Sequence, residues 1–183
     1  MIYLLPLQVT GLAAGLLLVV AHAIALARPE PVSAWLQTFP RSRGPAAVLL
    51  VVAAVWSFVL VRSIDLGEFT PLRMPMLVAI VVGAILAWIY VPEFLAVRAL
   101  GMVLLLAAEP LLESAVLRDE ISRLILVLLA YAWAIGGLFL VGMPYLLRDA
   151  IHWVTKTPGR FRIAAGAGLA YGIILLICAA VMW

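Results

Sequence analysis

Six long apolar runs constrain this chain more than any other feature. Each has the ~17–25 residues that an α-helix needs to cross a bilayer. The predicted spans are Pro6–Ala27, Pro45–Val61, Met74–Val91, Phe94–Leu117, Ile121–Leu147 and Ile163–Met182. A transmembrane β-barrel is excluded, because its strands read as alternating segments of about ten residues. The sequence therefore predicts an all-α, polytopic integral membrane protein with about six transmembrane helices.

Composition agrees with this class. Hydrophobic residues make up 67% of the chain and charged residues 11%, and the mean hydropathy is +1.23. A soluble domain would have about 45–50% apolar and about 25% charged residues. Because the spans and their short connectors use nearly all 183 residues, we expect a single transmembrane domain, 1–183, and no soluble domain.

The basic residues predict how the chain crosses the membrane. Eleven Arg and one Lys give a pI of about 9.4, but they lie near span ends, where the positive-inside rule accounts for them without a nucleic-acid partner. With the N-terminus outside, eight lie in inner connectors and four in outer ones. We expect a bacterial cytoplasmic (inner) membrane with both termini outside. The first span is expected to be retained, since no Lys or Arg precedes it as in a signal peptide.

Two inner connectors share a pattern that indicates an internal repeat. The matched residues are Arg28, Trp35, Pro40, Arg41 and Arg43 in the first connector, and Arg148, Trp153, Pro158, Arg160 and Arg162 in the second. In the first, apolar residues recur at i, i+3, i+4 and i+7, the spacing of an amphipathic helix. We expect two short interfacial helices, anchored by these Trp and Arg residues.

Two interpretations of the shared pattern stand side by side. In one, 6–61 and 121–182 are parallel repeats that flank a tight hairpin of spans, 74–117. In the other, any inner connector collects Trp, Pro and Arg. Small residues spaced by four also recur in the spans and predict close helix packing. These stripes are Gly11 and Gly15, then Ala79, Gly83 and Ala87, then Ala164, Gly168 and Gly172.

The fourth span carries ionisable residues within an otherwise apolar run. At 100° per residue, one face holds Arg98, Met102, Leu105, Glu109, Glu113 and Val116. A charged side chain near the bilayer centre costs about 2.5–3.5 kcal/mol on insertion scales and is a functional hypothesis by default. Pro110 removes a backbone N–H and predicts a kink.

Two roles for Glu109 compete. It could be a proton or cation site of a small transporter or channel, or a buried, neutral carboxylic acid that joins helices by hydrogen bonds. Tyr131 and Ser57 lie near its depth and are the expected partners. Few other polar groups lie at that depth, which favours the packing role. Glu113, one turn further out, is expected to be more solvated.

His22 lies in the first span, in an Ala-His pair that precedes an Arg-Pro boundary. Over about ten residues this stretch resembles the pigment-ligating helix of bacterial light-harvesting polypeptides, which have one span rather than six. The resemblance implies pigment or haem ligation by His22. The alternative is a neutral histidine that hydrogen-bonds within the bundle.

No enzyme motif of the soluble classes occurs in the chain, and two histidines with one cysteine cannot supply a zinc site without carboxylates. The leading hypothesis is therefore a non-catalytic accessory or scaffold subunit, without a cofactor, that packs against other membrane-protein subunits through the small-residue stripes. A small proton- or ion-coupled transporter or channel using Glu109 is the alternative. A pigment- or haem-binding subunit using His22 is the third.

Overall fold

The computed structural model describes residues 5–183, which are mainly helical and contain no β-strand. The predicted single domain 1–183 and the predicted outside N-terminus thus include four residues that lie outside the described part. The eight α-helices are α1 (Leu7–Ala27), α2 (Pro29–Thr38), α3 (Arg43–Ser63), α4 (Arg73–Tyr90), α5 (Leu95–Ala115), α6 (Arg123–Gly142), α7 (Tyr145–Thr155) and α8 (Pro158–Val181). Six of the long helical segments are apolar enough to cross a membrane, which confirms the predicted number of long apolar helices.

The predicted limits of the last two spans were wrong. The fifth was expected to reach Leu147, but α6 ends at Gly142 and α7 begins at Tyr145. The cause is Pro144, which disfavours helical backbone at Met143, where φ is −128° and ψ is 66°. The sixth begins five residues before the prediction, at Pro158, because proline suits the first position of a helix.

Helix α5 lies at the centre of the bundle. It packs against α6 on one side and α3 on another, while α1 pairs with α8 and touches α5. In a continuous 18-residue apolar stretch of α5, 44% of the residues are buried, against 6% in the corresponding stretch of Gly67–Tyr90, which contains α4. Helix α4, which packs mainly on α3, therefore forms the edge of the bundle.

Glycines bring the paired helices into backbone contact. A methyl group at Gly101 of α5 would lie 2.8 Å from the carbonyl oxygen of Gly137 on α6, and one at Gly137 would lie 2.8 Å from that of Gly101. Between α1 and α8, a methyl group at Gly172 would lie 2.9 Å from the backbone nitrogen of Val19. Only residues without a Cβ permit this approach.

The tight hairpin predicted for 74–117 is not a packed one. The turn between α4 and α5 is short, as expected, and Phe94 adopts a left-handed conformation there with φ 56°. The two helices then diverge. An open groove of about 210 Å³ lies between α3, α4 and α5, lined by Gly83 and Met102 among others. The short turn therefore fixes only the adjoining ends of α4 and α5, whereas packing determines the directions of the two helices.

Both connectors that were predicted to lie on the inner side contain a short helix, and the two helices meet. The Nε2 atom of Gln37 on α2 donates a hydrogen bond of 3.0 Å to Oγ1 of Thr155 on α7. Val32, Leu36 and Val154 from these helices pack on a buried cluster of Ala25, Phe161 and Ala165. The two connectors therefore lie at the same end of the bundle. The duplication of 6–61 and 121–182 stays a prediction.

Candidate functional site

The direction of the Glu109 side chain follows from the face that α5 buries against α6. Ala108, Leu111 and Ala115 are buried, and Leu111 and Ala115 belong to a cluster that includes Leu126 and Ala130 of α6. Glu109 follows Ala108, so its side chain is turned by about 100° from that buried face. Glu109 is exposed on the surface of the chain.

The exposed carboxyl lies in a groove along α5. The groove holds about 520 Å³ and its wall consists of Leu105, Ala108, Glu109, Leu112, Glu113, Val116 and Ala134. We call it the carboxyl groove. Leu105, Glu109, Glu113 and Val116 were predicted to share a face, and they line this one groove. Helix α5 continues through Pro110, which is buried.

The predicted burial of the two carboxyls was the wrong way round. Glu109 was expected to be enclosed and Glu113 to be solvated, but Glu109 is exposed and Glu113 is half-buried. The Oε1 atom of Glu113 is shielded from solvent. Helical periodicity places both on one face, but the neighbouring helices cover the two ends of that face unequally. Sequence alone did not show this difference.

The hydrogen bonds expected for Glu109 are also absent from the described residues. Tyr131 points away from the bundle, with 54% of its surface exposed, because its neighbour Ala130 takes the buried position on α6. Ser57 lines the separate groove between α3, α4 and α5. Neither makes a hydrogen bond to Glu109 within residues 5–183. The prediction that Glu109 is a buried packing group is therefore wrong for the isolated chain.

Arg98 caps the C-terminal end of a neighbouring helix. Its Nη1 atom donates a hydrogen bond of 2.9 Å to the carbonyl oxygen of Val141, in the last turn of α6. Arg73 and Arg123 act alike, donating at 2.8 Å to Ile64 and at 2.7 Å to Ala115. The last carbonyls of a helix lack intrahelical partners and carry partial negative charge. These three arginines therefore cap the C-terminal ends of neighbouring helices.

His22 is a packing residue in this structure. It is half-buried, and its Nδ1 atom donates a hydrogen bond of 2.8 Å to the carbonyl oxygen of Leu18 on the same helix. The ring lies over Gly168 of α8, so close that a methyl group there would overlap Nε2. The nitrogen with the free lone pair thus faces a helix backbone, whereas an axial ligand needs it facing a pigment or haem.

The sequence did not reveal a buried hydroxyl pair. Oγ1 of Thr10 on α1 donates a hydrogen bond of 2.8 Å to Oγ of Ser114 on α5, which donates one of 2.9 Å to the carbonyl oxygen of Leu111. Thr10 and Ser114 are both buried. The only hint in the sequence is that Thr10 adjoins Gly11 on the small-residue stripe of α1.

The predicted interfacial anchors all lie at the surface of the chain. Arg41, Arg43, Trp35, Trp153, Arg160 and Arg162 are all exposed. The guanidinium of Arg160 lies 4.7 Å from the centre of the Trp153 ring, while Trp35 instead packs on Phe39 at 5.3 Å. Arg41 and Arg43 line a pocket of about 240 Å³ at the start of α3.

Among residues 5–183, no group of three or more His, Cys, Asp or Glu side chains could hold a metal ion. Comparison of the chain with protein-family models, with curated proteins and with solved structures found no match.

Proposed function

We propose that this chain is a non-catalytic integral membrane subunit that packs against other membrane proteins as an accessory or scaffold. The exposed carboxyl of Glu109 carries the proposal. Facing hydrocarbon, a charged carboxyl would cost about 2.5–3.5 kcal/mol. A partner helix that offers a hydrogen-bond donor in the carboxyl groove removes part of that cost, and no described residue of this chain does so.

The contact surface differs from the one expected from the sequence. The stripes of α1 and α8 face each other through Gly15 and Gly172, so they are not available to a partner. The carboxyl groove remains, together with the stripe of α4, where a methyl group at Gly83 would meet nothing within 4 Å. We assign partner packing to these two surfaces.

We further propose a bacterial cytoplasmic membrane, with both termini outside and with α2 and α7 in the inner interface. The excess of basic residues at the end where α2 and α7 lie supports this orientation. Cysteines introduced at Ser42 and Thr157 should be protected from an impermeant thiol reagent in intact cells. Labelling of either one from outside would overturn the orientation. Native Cys178 is buried, which keeps the background low.

The scaffold role is tested by purification in mild detergent. A partner subunit should co-purify at fixed stoichiometry with the unchanged chain and with Glu109→Gln, which keeps hydrogen-bonding capacity. Glu109→Leu should weaken that association by roughly three- to fifteen-fold, the value of one hydrogen bond between membrane helices. Glu68→Leu, in an exposed connector, is the matched control. If the Glu109→Leu variant retains the partner subunit as strongly as the unchanged chain, the proposal is contradicted.

A transporter or channel using Glu109 is the second candidate, favoured by the presence of both carboxyls in one groove of about 520 Å³. Proton or cation flux in vesicles separates the two. A well-assembled Glu109→Gln protein that has lost ion coupling would replace the scaffold proposal with this one. A pigment- or haem-binding role is third, and a visible absorption band that disappears in His22→Leu would establish it.

A further inference from the structure

Two arginines with no partner in the described chain mark a pocket at the inner end of α3. Within residues 5–183, neither Arg41 nor Arg43 makes an ion pair or a side-chain hydrogen bond, and both are exposed. The pocket between them and the α4–α5 turn holds about 240 Å³. Glu93 lines an adjoining pocket of about 290 Å³ with both arginines, and its carboxylate offsets one of their two charges.

An apolar groove begins where this pocket ends. Trp88 and Ile89 line both, and the groove continues between α3 and α4 with a volume of about 420 Å³. On α3 it extends from Ala47 to Val55, eight residues or about 12 Å at 1.5 Å per residue. Half of a bilayer's hydrocarbon core is about 15 Å thick. The groove therefore spans most of one leaflet.

The lining of the groove limits what can occupy it. Ala47, Val51 and Ile85 line it without any polar side-chain atom, whereas Arg41 and Arg43 carry positive charge at its end. The occupant is thus apolar along its length and anionic at the end beside Arg41 and Arg43.

We propose that the pocket and groove together bind one anionic phospholipid. Its phosphate lies between Arg41 and Arg43, because guanidinium groups bind phosphate oxygens through paired, charge-assisted hydrogen bonds. An acyl chain lies between α3 and α4 along Ala47 and Val55. The site is at the opposite end of α5 from Glu109, so it stands whether or not the carboxyl groove binds a partner.

The test uses the full chain, delipidated in detergent, with phosphatidylglycerol and phosphatidylcholine as probes and bound lipid counted by native mass spectrometry. Phosphatidylglycerol should be retained over phosphatidylcholine. Replacing both arginines (Arg41→Gln with Arg43→Gln) should weaken its binding at least about tenfold. The matched control replaces Arg28 and Arg162, also exposed at this end, by Gln and should change binding by less than about twofold. Thermal unfolding checks that both proteins are folded.

A second arm separates a lipid from a free anion. Ala47→Leu fills the groove while leaving both arginines, and it should weaken phosphatidylglycerol binding severalfold. Val48→Leu is the control, because Val48 is exposed at the next position and does not line the groove. Glycerol 3-phosphate, a headgroup without chains, should not compete. Equal binding of the two lipids, equal loss in the Arg28 and Arg162 control, or competition by glycerol 3-phosphate with no effect of Ala47→Leu would each overturn the proposal.

Discussion

Small residues lie in close contact with a facing helix in the body of the bundle, but at its α4 edge the same kind of residue faces open space. In the body, a methyl group at Gly101 or Gly137 would press on a carbonyl oxygen of the facing helix at 2.8 Å. At the edge, one at Gly83 would meet nothing within 4 Å. A stripe of small residues therefore permits close approach without showing which helix, if any, takes it.

Polar contacts between distant parts of the chain also differ between these two regions. In a membrane, helices gain no hydrophobic energy by associating, so van der Waals packing and hydrogen bonds decide which pairs form. The body has such bonds: Tyr171 on α8 donates at 2.6 Å to the carbonyl oxygen of Ile125, and Trp183 donates through Nε1 at 2.7 Å to Oγ of Ser122. The described contacts of α4 include one, from Arg73 at its first residue to Ile64.

The largest expected effect comes from adding a methyl group in the body. Gly101→Ala should lower the free energy of unfolding by about 1–3 kcal/mol, because the facing atom is backbone and cannot rotate away. The measurement is unfolding in detergent micelles by denaturant titration. Gly136→Ala is the matched control on α6, since a methyl group there would meet nothing within 4 Å. Equal stability of the two variants would refute the close contact of α5 with α6.

A smaller effect is expected between α1 and α8, where the atom in the way belongs to a side chain. Gly168→Ala should destabilise the bundle by about 1–2 kcal/mol, because the new methyl group displaces the ring of His22. His22→Ala removes the obstacle, so the double variant should recover at least about 0.5 kcal/mol of the sum of the single effects. The double-mutant cycle is measured by the same unfolding titration. Strict additivity would show that the ring does not lie over Gly168.

The sequence predicted the positions of the long apolar helices well and the contacts between them poorly. Apolar length and helix-ending residues act locally, so α1 begins one residue after its predicted limit and ends at Ala27 as predicted. The contacts of Glu109 depend on which helices flank α5, and no local pattern contains that information. The close packing predicted for the α4–α5 hairpin was wrong for the same reason, since adjacency in sequence brought only the ends of those helices together.

Local sequence patterns also cannot predict polar pairs between distant helices. Thr10 and Ser114 are 104 positions apart, and neither stands out from its surroundings in the sequence. Arg98 did stand out and was predicted as an intramembrane polar residue. Its role at the end of α6 becomes visible only when the glycine contact between α5 and α6 places Val141 within reach.

The hydroxyl pair should contribute less than the glycine contacts. Thr10→Val keeps the shape of the side chain and removes its bond to Ser114, so it should lower the free energy of unfolding by about 0.6 kcal/mol and at most about 1.7 kcal/mol. Ser33→Ala, at a half-buried position of α2, breaks only a bond to a carbonyl in its own helix and should be neutral. A cycle with Ser114→Ala measures the pair directly. A coupling of zero would show that the pair does not join α1 to α5.

The smallest effect is expected at the edge, and it tests the openness of α4. Glycine inside a helix costs roughly 0.5–1 kcal/mol relative to alanine, and at Gly83 no contact is lost when a methyl group is added. Gly83→Ala should therefore leave the free energy of unfolding unchanged or raise it by up to about 1 kcal/mol, measured by the same titration. A loss of stability would mean that α4 packs against α3 and α5 as closely as α1 packs against α8. If Gly83→Ala is neutral for the isolated chain but weakens association with a co-purifying subunit, the stripe of α4 is a partner surface, because only a helix from outside could then approach the new methyl group.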